Sequence, residues 1–178
     1  MGYLEIGAGT GLFSLELARR YPDKLFVAVD VKADRLQKGA YAALEQGIEN
    51  ILFVRARADQ VDQLAELGSV EGIWVTFPDP FPRKRSAGRR LTHAAYLDKY
   101  AALLSPGGKF YLKHDNVDFF HWSLEQIVQA RWRVDELSFD LHDSDLSGDY
   151  KMLTTYETRW LDEGRKTYFV RAAKPQLS

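Results

Sequence analysis

The chain has 178 residues, 46% hydrophobic and 13% aromatic, which suits one packed core and excludes wholesale disorder. Twenty-four lysines and arginines face 25 acids, a net charge of −1 that excludes a generally sticky nucleic-acid binder and leaves only local patches. With no cysteine there is no disulfide framework or thiolate metal site, no apolar run approaches a membrane span, and the start reads neither as a signal peptide nor, with Ile6 at position 6, as a myristoylation signal.

Apolar patterning predicts a first strand over Tyr3–Ile6, followed by a glycine-rich turn. Leu12, Leu15 and Ala18 share one face of a helix that opens near Gly11 and ends before Pro22. A second strand, Leu25–Val29, leads to Asp30, and a second helix carries Leu36, Ala40, Ala43 and Leu44 and stops at Gly47. Ile51–Val54 reads as strand three, Val61–Leu67 as a short helix and Ile73–Phe77 as strand four. Thr92 is placed to cap a helix bearing Tyr96, Leu97, Tyr100, Leu103 and Leu104, with Pro106-Gly107-Gly108 as its terminator. Lys109–Lys113 predicts strand five, and Phe120, Leu124, Ile127 and Val128 a further helix. Beyond residue 131 the rhythm changes: Val134–Leu141 and Thr167–Ala172 read as strands with no clear helix between them. This alternation predicts one α/β domain over 1–178, a mostly parallel doubly wound sheet with an antiparallel strand at one edge.

Three stretches carry chemistry. "EIGAGTG", residues 5 to 11, follows the first strand, and Gly7 and Gly9 permit a tight turn and close approach of a ligand to the backbone. The spacing is G-x-G-x-G, and Leu12 breaks the dinucleotide fingerprint. Asp30, 19 residues after Gly11, ends strand two, where an acid of a doubly wound fold accepts hydrogen bonds from both ribose hydroxyls. Glu5, just before the turn, would repel a pyrophosphate but suits the ammonium of S-adenosylmethionine. "FPDPFPRKR", residues 77 to 85, sets Asp79 between prolines that stiffen the backbone, then adds Arg83, Lys84 and Arg85. Residues 83 to 90 hold five cations and no acid, a patch for phosphates, whereas residues 135 to 149 hold six acids and no lysine or arginine. His93, His114, His121 and His142 have no metal-ligand spacing, so no metal site is expected, and Asp115 beside His114 reads as a binding pair. Tyr156 and Trp160 suit either base stacking or packing.

Together "EIGAGTG", "FPDPFPRKRSAGRRL", "KFYLKHDN" and "LHDSDLSGDYKMLTTYE" resemble the bacterial tRNA (guanine-N7)-methyltransferase family, in order, from the first residues to about Ala172. The resemblance implies a Rossmann-like fold, S-adenosylmethionine as methyl donor, the guanine of the tRNA variable loop as target, and a cytoplasmic location without membrane attachment. It leaves monomer and homodimer open. It implies that Glu5 and Asp30 hold the methionine and ribose parts of the cofactor, with Gly7 and Gly9 beside them. Asp79 matches the active-site acid and would also border the cofactor. Arg83 matches the basic substrate-contacting position, usually a lysine, and Asp115, Thr154, Thr155, Tyr156 and Glu157 match positions that bind the target nucleotide. Where the family has an acid or amide near the adenine, this chain has Arg57, with Asp59 two residues on, which implies either a backbone contact at Arg57 and Ala58 or an altered fit. The family's usual segment ahead of strand one is expected to be absent. The rival expectations are a methyltransferase acting on an exocyclic amine or a small molecule, and an RNA-binding module without activity.

Overall fold

A computed structural model describes residues 2–176, apart from the side chain of Thr155. In chain order the elements are β1 Gly2–Ile6, α1 Leu12–Arg20, β2 Leu25–Asp30, α2 Ala33–Gln46, β3 Ile51–Arg55, β4 Val70–Thr76, α3 Ala94–Leu103, β5 Leu104–His114 and α4 Val117–Gln129. After them come β6 Arg133–Ser138, α5 Thr155–Asp162 and β7 Tyr168–Ala173. The strands form one sheet in the order β3-β2-β1-β4-β5-β7-β6. β1 to β5 pair in parallel, and β7 runs antiparallel to both β5 and β6.

The period-two alternation of the strands divides the core. Leu4, Ile6, Ile73 and Val75 pack toward α3 and α4, while Phe26, Trp74 and Phe169 pack toward α1. On the α1 side Trp74 stacks on Tyr111 at 4.3 Å and meets the edge of Phe13 at 4.8 Å. Glu5, Thr76 and Lys113 stand on this same face, because Glu5 registers with Trp74, and Thr76 with Lys113. The chain leaves β1 toward β2 on one side and returns to β4 on the other, so the loops after β1 and β4 diverge. A crevice opens there, at the carboxyl ends of the strands.

Several local expectations change in the folded chain. α3 is capped by His93, whose ring nitrogen accepts from the Ala95 N–H at 3.2 Å, while Thr92 turns inward and bonds Ser123 at 2.7 Å. Pro106-Gly107-Gly108 lies inside β5, which begins directly at Leu104 and bulges against Val70–Gly72 of β4. The predicted helix at 61–67 is a 3-10 turn over Ala58–Gln63, and β6 ends at Ser138, before a short turn that buries Leu141. A helix, α5, does separate the last two strands. Its N-terminus is a capping box: the Thr154 hydroxyl accepts from the Glu157 N–H at 3.1 Å, and the Glu157 carboxylate from the Thr154 N–H at 3.2 Å. Among the described residues no helix is long and apolar enough to cross a membrane.

Candidate active site

The crevice is a cavity of about 1070 Å³, bordered by the glycine turn, the ends of β2, β4 and β5, and one side of α5. That lies at the upper end of the roughly 300–1,000 Å³ of a small-ligand pocket, ample for a nucleoside. Gly7, Gly9 and Gly11 all adopt left-handed backbone, at φ 71°, 61° and 72°. A side chain at Gly11 would meet Phe53 at 2.8 Å and Ala28 at 2.9 Å, whereas none at Gly9 would find an atom within 4 Å. The turn is therefore tight beneath and open toward the cavity. The Gly9 N–H donates to Asp30 Oδ2 at 2.8 Å, and the Lys32 N–H to Oδ1 at 2.9 Å. Both oxygens are aimed by backbone and keep lone pairs for two hydroxyls. Gly39 of α2 makes this fit possible, since a Cβ there would stand 1.8 Å from the Thr10 carbonyl oxygen.

Glu5 lies on the cavity floor, 1% exposed. Its oxygens accept from Ser14 Oγ at 2.5 Å and Thr76 Oγ1 at 2.6 Å. Burial pushes its carboxyl above the usual carboxylate range, opposed by those two hydroxyls and by the charge of Lys113. No salt bridge to Glu5 occurs among the described residues. A buried acid held by two hydroxyls and the Ser14 backbone, with no salt bridge among the described residues, suits a cationic group arriving from the cavity, so floor and turn fit a nucleoside with an ammonium tail.

Asp79 is exposed at the cavity edge, on a loop with two strained residues, Phe77 at φ 48° and Phe81 at φ 41°. Two buried donors hold that backbone on either side of Asp79. His114 Nε2 donates to the Pro78 carbonyl at 2.8 Å while its Nδ1 accepts from the Asn116 N–H at 2.9 Å. Those two bonds require the neutral imidazole, and burial accordingly holds the His114 pKa below its ordinary value. Arg90 grips the Phe81 carbonyl with two nitrogens, at 2.9 and 3.2 Å, and lies 4.4 Å above the Trp122 ring.

Other predicted residues divide between cavity and surroundings. Arg57, Ala58, Asp115, Thr154 and Tyr156 border the cavity. Arg57 is an exposed residue whose guanidinium pairs with Asp59 at 2.8 and 3.0 Å. Asp115 is paired with Arg165 at 3.0 Å. Arg83 is exposed and outside the cavity lining, ahead of a 3-10 turn over Lys84–Arg89, and it is Arg89 of the basic run that lines the cavity. The Thr155 side chain lies outside the described residues.

Glu157 corrects an expectation: it does not border the cavity. Its carboxylate is fully buried, 2.6 Å from the equally buried Lys113 Nζ, which also donates to the Met152 carbonyl at 2.8 Å. The other carboxylate oxygen meets His142 Nε2 at 2.7 Å and the Thr167 hydroxyl at 3.3 Å. Lys113 read as an ordinary strand residue, as did Gly39, Arg35 and Arg165 as helix or loop residues. Only the Thr-x-x-Glu spacing, a capping-box signal, could have disclosed α5 and the inward turn of Glu157.

A family model described as "Putative methyltransferase" matches residues 2–170. A Brevibacillus brevis protein named tRNA (guanine-N(7)-)-methyltransferase is 35% identical over 171 residues, 96% of this chain and 79% of the relative. A protein of the same name from Bacteroides thetaiotaomicron is 35% identical over 174 residues, 97% of this chain and 68% of the relative. Among solved structures, the 16S rRNA methyltransferase KamB matches with a TM-score of 0.73 at 20% identity, covering 97% of this chain and 87% of that one. An rRNA methylase from Streptococcus thermophilus matches with a TM-score of 0.64 at 15% identity, covering 98% and 86%. These two likenesses speak for a Rossmann-like methyltransferase fold. With a family model spanning nearly the whole chain and such close relatives in sequence, this protein belongs to the methyltransferase family that includes the tRNA (guanine-N(7)-)-methyltransferases.

Proposed function

We infer that this protein is a tRNA (guanine-N7)-methyltransferase that uses S-adenosylmethionine, with the guanine of the tRNA variable loop as its target. The observation that carries this reading is one cavity joining a ribose-oriented carboxylate, Asp30, a buried acid for a cation, Glu5, and a fixed but exposed carboxylate, Asp79. When bound, S-adenosylmethionine supplies a methyl group on a sulfonium. Asp30 accepts the ribose hydroxyls, Glu5 faces the ammonium, and Arg57 and Ala58 border the adenine end, with the Arg57 charge already neutralised by Asp59.

Guanine N7 carries a lone pair and no proton, so the site needs no general base. It needs orientation, and a negative charge near a purine that becomes cationic. Asp79 supplies both: its carboxylate accepts from the guanine N–H edge and faces the growing charge, while His114 and Arg90 hold its backbone still. Asp115, Thr154 and Tyr156 hold the target nucleotide, and Glu157 positions Thr154 from behind. Arg83, Lys84 and Arg85, exposed beside the cavity, take tRNA phosphates. A cytoplasmic setting belongs to this proposal. Incubation with labelled S-adenosylmethionine and total tRNA, followed by nucleoside analysis, should yield N7-methylguanosine. A product methylated at an exocyclic amine, or no labelled RNA, would refute it.

A further inference from the structure

Two aromatic rings on α5 take no part in either hydrophobic core. Tyr156 and Trp160 are four residues apart, so they share a helix face, and both border the cavity. Each ring has a guanidinium beside it. Arg35 of α2 stands 5.9 Å from the Tyr156 centroid, while Trp160 has two, Arg165 at 4.2 Å and Arg159 at 5.3 Å. Arg165 also reaches Asp115 at 3.0 Å and Glu163 at 3.3 Å, so its plane is fixed by two carboxylates as well as by the ring. Glu157, on the buried face of the same helix, locks α5 onto Lys113 of β5. The result is a partly exposed plate of indole and guanidinium beside Asp115, at the cavity wall.

Packing does not explain the plate, because the rings contribute to no core. Charge alone does not explain it either, since Arg165 is already neutralised by acids. A flat, preorganised aromatic–guanidinium surface is what an unstacked nucleobase lies on, whatever its sequence. We propose that Trp160 and Arg165 form a stacking site for the nucleotide adjacent to the target guanine, which holds the RNA strand splayed while the guanine enters the cavity. This inference rests on the proposed tRNA activity and adds a second base-binding position to it.

The test pairs protein and RNA changes. Binding would be measured for wild type, Trp160→Ala and Trp160→Phe, each with a tRNA transcript and with transcripts abasic on the 5′ or 3′ side of the target guanine. Trp160→Ala is expected to weaken intact tRNA about 5- to 150-fold, the range for losing one base–aromatic stack. One abasic transcript should weaken wild type by a similar factor and leave Trp160→Ala nearly unaffected, and Trp160→Phe should stay close to wild type. A structural role for the indole would give additive losses at both flanks, and that result overturns the proposal. Nucleoside analysis of the intact transcript keeps the two readings apart. Missing N7-methylguanosine refutes the activity, whereas normal methylation with additive binding losses refutes only the stacking site.

Discussion

Replacing Asp79 by Asn keeps the side chain's shape and removes its charge. The loop's conformation does not depend on that charge, because no hydrogen bond or salt bridge joins Asp79 to another described residue. Its geometry comes from Pro80, Pro82, the His114–Pro78 bond at 2.8 Å and the Arg90–Phe81 bonds at 2.9 and 3.2 Å. Stability should therefore change by no more than about 0.5 kcal/mol, a Tm shift of less than about 2 °C for a domain of this size. The methyl-transfer step should slow about 10²- to 10³-fold, the usual cost of one preorganised electrostatic group. His114→Phe instead removes an anchor of the loop, so stability falls along with the rate. It leaves the buried Pro78 carbonyl without its donor and should cost about 1–3 kcal/mol, lowering Tm by about 2–12 °C. Single-turnover methyl transfer at saturating tRNA and S-adenosylmethionine would read the rate, and thermal melts by circular dichroism the stability. An Asp79→Asn enzyme within a few-fold of wild type, or one that unfolds, would refute the reasoning.

Burial raises the Glu5 pKa above its ordinary 4.5, so the folded protein keeps that proton longer than the unfolded chain. This group's contribution to stability thus falls as pH rises from the ordinary value through the raised folded value. Glu5→Gln should remove that slope and melt no lower than wild type at neutral pH. Calorimetry should show S-adenosylmethionine binding weakened by about 1–3 kcal/mol, and unchanged affinity would move the ammonium contact elsewhere. Lys113→Met leaves the Glu157 carboxylate buried without its cation and should cost about 3–5 kcal/mol in denaturant unfolding. Adding Glu157→Gln should cost much less in that background than in wild type, and strictly additive losses would mean that the two charges do not stabilise each other. Gly39→Ala drives a methyl group to within 1.8 Å of the Thr10 carbonyl oxygen unless the backbone gives way. It should cost about 1–3 kcal/mol as the glycine turn shifts. Cofactor affinity should fall with it, at least about tenfold by calorimetry, and a variant normal in both would show that α2 can yield without disturbing the turn.

The sequence by itself determined what depends on neighbours along the chain. Alternation at period two and at helical spacing located the parallel strands and the first four helices, and the glycine trio with Asp30 marked one end of the crevice. The prolines around Asp79 marked a stiff loop, since proline restricts its own φ and the residue before it. Tertiary structure decided what depends on partners distant in the chain. Thr92 lost its capping role to His93 because Ser123, 31 residues away, offered its hydroxyl a buried partner. Pro106-Gly107-Gly108 entered β5 because β5 bulges there against Val70–Gly72 of β4, a pairing distant in the chain that the local sequence does not show. Glu157 turned away from the cavity because Lys113, on a central strand, gave its charge a buried counterion 44 residues distant. Arg165 reached Asp115 across 50 residues. An isolated sequence prices a carboxylate or a guanidinium as solvated, and only the fold reveals which of them water never reaches.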